Sequence, residues 1–128
     1  MDIGRLKNNR VYNEEDMCDT EIILSLKEDP NFNLHIWEGY FRDIFGHPFL
    51  HGLGWHGFTR DYQEFKGAFS DDNDNKIELP DLEEYLTDML QYAEKEFRFE
   101  ETSEVFELIA DFLRYAIATG QTVVMEVS

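Results

Sequence analysis

The sequence predicts an α+β fold: several helices packed on a small sheet, in a single domain covering residues 1–128. Three observations carry that expectation. Two long segments, 82–97 and 105–118, keep their apolar residues at helical spacing. The run QTVVMEV, which follows Gly120, reads as a closing strand. The composition is that of a packed chain, 42% hydrophobic and 15% aromatic with three prolines, and a chain of this length hides roughly two thirds of its unfolded surface.

The elements follow in order. The first dozen residues are basic and polar and read as an extended opening strand or a frayed end. Residues 13–28, NEEDMCDTEIILSLKE, read either way: Asn13 caps a helix, or IILSL forms a strand, and the helix is preferred. Asp29 followed by Pro30 is a helix-start signal. Downstream, Trp37, Tyr40, Phe41, Ile44 and Phe45 form one helical stripe that stops at Gly46 and Pro48. Gly39 inside it either costs about 1 kcal/mol relative to Ala or admits a close neighbour. Thr59 caps a short helix with Tyr62, Phe65 and Phe69 on its inner face, SDDNDN is a surface loop, and IEL (77–79) a short strand.

The last third is the plainest. Asp81 and Glu84, after Pro80, resemble a capping box. Leu82, Tyr85, Leu86, Met89, Tyr92, Ala93 and Phe97 then mark one long helix. A second begins near Thr102 or Ser103, with Val105, Phe106, Ile109, Phe112, Leu113, Ala116 and Ile117 as its buried stripe. Gly120 is suited to the left-handed position that ends it. The pair is expected to pack through Tyr85, Leu86, Met89, Phe106, Ile109 and Leu113.

Charge is the dominant compositional feature. Twenty-eight acids against eleven Lys and Arg give −17. From Asp71 to Asp111 there are fifteen acids and three bases, a net −12. Such a field repels nucleic acid and anionic membrane and attracts basic proteins, whose association it accelerates. The opening residues carry no secretory pattern, and no run approaches the roughly 18 apolar residues of a membrane helix. A cytoplasmic protein is expected. The lone cysteine, Cys18, lies between Asp16 and Asp19 and reads as a small packed side chain rather than a nucleophile.

The run HPFLHGLGWHGF, 47 to 58, holds three of the four histidines. Its GLGWHG matches G-x-G-x-x-G, but no strand–turn–helix frame surrounds it, and Trp55 is too bulky for the tight turn. His47 and His51 are four apart with Pro48 between them, and the glutamate of HExxH is missing, so no metal is expected there. The DDNDN loop places Lys76 where a calcium loop needs Gly and Leu82 where it needs Glu. No nucleophile or acid–base pair is singled out, and His56 as a general base has no evident partner. No enzyme and no cofactor is expected. The glycines let the loop turn, and Phe49, Leu53, Trp55 and Phe58 anchor it.

The runs GWHGFTRDYQEF, DLEEYLTDMLQYAEKEF and FLRYAIATGQTVVMEV resemble small acidic immunity proteins of bacterial contact-dependent growth inhibition systems, over the last two thirds of the chain. The resemblance implies a cytoplasmic protein that binds and neutralises the toxic C-terminal domain of a cognate effector. Many such toxins are nucleases with basic clefts. The charge reading agrees: an acidic surface fills a cleft that is lined with Lys and Arg to hold phosphates. The partner surface expected from the residues is the loop Asp71, Asp72, Asp74 and Glu78, with Trp55 and His56 as the hot spot. Two other classes stand beside this one: a different acidic binding module, such as a nucleic-acid mimic or adaptor, and a small enzyme built around His56.

Overall fold

The structure, a computed structural model, describes residues 3–7, 9–12, 21–45, 57–59, 76–94 and 96–127. Five strands form one sheet: β1 (Asn9–Tyr12), β2 (Glu21–Leu26), β3 (Asn33–Trp37), β4 (Lys76–Glu78) and β5 (Val123–Val127). Their order is β1-β3-β2-β5-β4. The four strands from β3 to β4 are antiparallel, and β1 joins β3 in parallel at the edge. The helices are α1 (Glu38–Phe45), α2 (Leu82–Leu90) and α3 (Thr102–Thr119). The α+β expectation holds.

Residues 21–26 form a strand, not the helix preferred from the sequence; residues 13–20 lie outside the described residues. The reason is the period-2 pattern: Ile22, Leu24 and Leu26 are buried, while Glu21, Ile23 and Ser25 alternate to the other face. The helix expected from Asp29 and Pro30 is also absent. Those two residues make a turn, in which the Phe32 N–H donates to the Asp29 carbonyl at 3.0 Å. Asn33 Nδ2 donates to the Pro30 carbonyl at 2.8 Å. Pro fits the second position of such a turn as well as it fits the first turn of a helix, so the dipeptide alone does not decide. Here Leu34 and Ile36 alternate toward the core and pair with β2, which completes a hairpin. The helix starts eight residues later than Pro30, at Glu38.

Trp37 therefore ends a strand instead of opening a helical stripe. Its ring folds back over Gly39, where an added Cβ would lie 2.4 Å from the indole. Gly39 admits a close neighbour, and Trp37 is that neighbour.

Helix α2 starts as expected, with Asp81 accepting the Glu84 N–H at 3.4 Å. It stops at Leu90 and passes into turns, so 82–97 is not one helix, and Phe97 lies beyond it. The expected helix over 105–118 is α3, which runs further at both ends, and Gly120 ends it with φ 66°. Helices α2 and α3 pack on each other, and of the residues expected between them Tyr85, Met89, Phe106, Ile109 and Leu113 are buried and Leu86 is half-buried.

The helices share one core with the buried face of the sheet, from Ile22, Leu24, Leu34, Ile36, Val123 and Met125 to Ile109, Phe112 and Leu113. Full burial of one such side chain stabilises by roughly 1.5–3 kcal/mol. The opposite face of the sheet carries Ile23, Val124 and the pair Glu21–His35, whose Oε1 and Nδ1 are 2.8 Å apart.

Candidate partner-binding surface

Helix α3 buries most of its circumference: Leu108 and Ala110 as well as the expected stripe, of which Ile117 alone is half-buried. On its solvent side Glu104, Glu107, Asp111 and Arg114, spaced three, four and three apart, form a polar ridge. Within it Arg114 Nη1 reaches Asp111 Oδ1 at 3.3 Å, so the ridge's base is already matched. Over residues 81 to 111 the sequence holds eleven acids and two bases, a net −9. One of those acids, Asp88, is buried, and the other ten are exposed or half-buried, so the solvent side of residues 81 to 111 is acidic.

Between the two helices runs a groove of about 400 Å³, lined by Glu83, Leu86, Thr87 and Leu90 from α2 and by Arg114, Ile117 and Ala118 from α3. Leu90 is 41% exposed and is the one exposed large hydrophobic side chain among the described residues. It stands outside the periodic set that packs α2, which is the signal the sequence offered for it.

On its buried side, α2 holds the end of the glycine-rich run. Residues 57–59 are helical. The Gly57 N–H donates to Glu84 Oε1 at 3.2 Å. The Thr59 N–H donates to Asp88 Oδ2 at 2.9 Å, and the Thr59 hydroxyl lies 2.9 Å from both Asp88 oxygens. Tyr92 Oη is 2.9 Å from the same hydroxyl. A hydroxyl has one proton, so Thr59 donates to Asp88 and accepts from Tyr92. Thr59 is therefore inside a helical turn and tied to another helix, where the sequence placed it as a cap. Two carboxylates from α2 thus accept the N–H groups of Gly57 and Thr59.

Between these bonds Phe58 is fully buried, 4.8 Å from Tyr85 and 5.4 Å from Phe45, ring centre to ring centre. Phe58 is the core anchor the sequence expected. Gly57 has φ 56°, and a Cβ there would sit 3.0 Å from Asp88 Cβ and Tyr85 Cα. Only glycine meets both conditions without strain. Sequence reading missed Asp88 as a tie. Its signal was a carboxylate on the stripe of Tyr85, Met89 and Tyr92, where burial demands a partner.

A similar tie joins α1 to the start of α3. Asp43 accepts the backbone N–H groups of Arg98 at 2.9 Å and Phe99 at 3.0 Å, and the Thr102 hydroxyl at 2.7 Å.

Of the six expected partner residues, Asp71, Asp72, Asp74, Trp55 and His56 lie outside the described residues, as do Tyr62, Phe65, Phe69, Cys18, His47 and His51. Glu78 is exposed on strand β4, not in the loop, and pairs with Lys27 Nζ at 2.5 Å. That hydrogen bond raises the Lys27 pKa above its ordinary value. Nearby, the Thr122 N–H donates to Glu28 Oε2 at 2.9 Å and holds that carboxyl below its ordinary range. Among the described residues, no three His, Cys, Asp or Glu side chains are grouped to hold a metal, and no helix is long and apolar enough to cross a membrane. No family model, curated protein or solved structure matches the chain.

Proposed function

We propose that this chain is an immunity protein, which binds and neutralises the toxic C-terminal domain of a cognate contact-dependent inhibition effector in the cytoplasm. The observation that carries the reading is the acidic solvent side of residues 81 to 111, where ten exposed or half-buried acids stand against two bases in the sequence. A nuclease domain is the partner class that best fits it, because such a domain must present Lys and Arg to phosphates. The acidic layer occupies the basic surface and excludes substrate by charge and bulk. No bond is made or broken, so inhibition needs neither cofactor nor catalytic residue. Long-range attraction shortens the interval in which free toxin acts.

The test is to purify the C-terminal domain of a large secreted effector encoded next to this chain and assay its cleavage of DNA and RNA. One equivalent of this chain should abolish the activity. Full activity in the presence of excess chain refutes the reading. Inhibition of an unrelated restriction or repair nuclease instead would favour the nucleic-acid mimic.

A further inference from the structure

We infer that the α2–α3 groove around Leu90 is the affinity-determining anchor of this interface, and that it takes an apolar side chain presented by a Lys- or Arg-bearing segment of the partner. The inference rests on the proposed function and adds where, and by what chemistry, the partner is held.

Charge and affinity are separate tasks. Exposed carboxylates steer a partner and set the rate of encounter, but salt screens them and they hold it weakly. Slow dissociation comes from a few apolar contacts that lose their water, ringed by polar groups. On the described surface Leu90 supplies the exposed apolar group such a contact needs. Leu86 and Ile117 are half-buried in the same groove and continue the apolar floor. Their spacing makes this a built feature. Glu83, Leu86, Thr87 and Leu90 follow one stripe of α2, while Arg114, Ile117 and Ala118 follow one stripe of α3.

The surroundings select the occupant. Glu83 borders the groove, and Glu104 and Glu107 continue the stripe of Arg114 along α3. Arg114 is matched by Asp111, so the local field stays negative. A second copy of this chain is itself −17 overall and would set like charge against like, which opposes self-association. Anionic lipid and nucleic acid are repelled for the same reason. A basic protein segment with an apolar anchor suits both the floor and the rim.

The experiment measures association and dissociation of the adjacent effector's C-terminal domain by surface plasmon resonance, using the full chain and three variants. Leu90→Ala removes the floor. Thr87→Arg fills the groove from its exposed wall and leaves Leu90 in place. Glu104→Lys combined with Glu107→Lys reverses rim charge on α3 and leaves the groove lining unchanged. Circular dichroism checks that each variant is folded. Leu90→Ala and Thr87→Arg should each speed dissociation about thirtyfold or more, the size of a hot-spot loss, with association nearly unchanged. The rim variant should slow association and leave dissociation nearly unchanged. If the wild-type chain binds and both groove variants dissociate at the wild-type rate, the groove is not the anchor and the proposed function stands. If the wild-type chain does not bind, both fall. A wild-type dimer in sedimentation that Leu90→Ala dissolves would overturn the inference in favour of self-association.

Discussion

Asp88 offers the sharpest test of how the fold is tied together. It is 4% exposed and accepts both the backbone N–H and the hydroxyl of Thr59 at 2.9 Å. Replacing it with alanine removes two charge-assisted hydrogen bonds, each worth about 1.5–3 kcal/mol. The buried carboxylate's own desolvation cost is relieved, which offsets part of that loss. The orphaned Thr59 N–H adds a cost of about 1–3 kcal/mol. The net expectation for Asp88→Ala is about 3–5 kcal/mol, the range seen when one partner of a buried charged contact is removed. Asp88→Asn keeps one acceptor oxygen and should cost about 1–2 kcal/mol. Urea unfolding followed by circular dichroism reads these values. With a slope of about 2 kcal/mol/M, the Asp88→Ala midpoint should fall by about 2 M at unchanged slope. Thr59→Val closes a double-mutant cycle, and the coupling should be at least about 1 kcal/mol. A loss below about 1 kcal/mol for Asp88→Ala, or additive effects of Asp88 and Thr59, would mean that this contact does not tie residues 57–59 to α2.

Other expectations follow from single contacts. Phe106→Ala should destabilise by about 3–5 kcal/mol in the same urea assay, because the ring is 7% exposed and packs 5.9 Å from Phe97. Gly39→Ala should displace the Trp37 indole, which a Cβ would approach to 2.4 Å. In a Trp55→Phe background the remaining fluorescence should shift toward the red as Trp37 gains water. The two titrating contacts act at opposite ends of the pH range. Glu28 has a folded pKa below its unfolded value, so its contribution is present at neutral pH and is lost as pH falls through the folded value. Lys27 has a raised folded pKa, so its contribution is present below 10.5 and is lost as pH rises through the folded value. Both groups are exposed, so thermal melts should show small effects that shrink further in salt, and Glu28→Gln should flatten the acid side.

The sequence was most legible where one period runs without competition. Helix α3 and strand β5 follow from an unbroken stripe, a left-handed glycine and a β-branched run, all local signals. The segment 21–37 is ambiguous in the sequence because its cues are shared. An Asp-Pro pair serves a turn as well as a helix start, and five aromatic and aliphatic residues at helical offsets included one, Trp37, that belongs to the strand before. Hairpin pairing between Ile22 and Ile36 decided the matter, and pairing is non-local. The ties from Asp43 and Asp88 were hidden for the same reason, since their partners lie 29 to 59 residues away. Leu90 was readable only by exception, as an apolar residue left over once the inner face of α2 had been assigned. The net charge was legible at once, because it needs no geometry.

Capture of a basic domain by an acidic surface of this chain shows most directly in the association rate. Stopped-flow mixing with the adjacent effector's C-terminal domain, at low and at high ionic strength, isolates the electrostatic part. Steered association should approach about 10⁸ M⁻¹s⁻¹ at low salt and fall steeply as salt rises, because screening shortens the reach of the acidic field. A rate of about 10⁵–10⁶ M⁻¹s⁻¹ that does not respond to salt would mean that charge plays no part in capture, and would contradict the account.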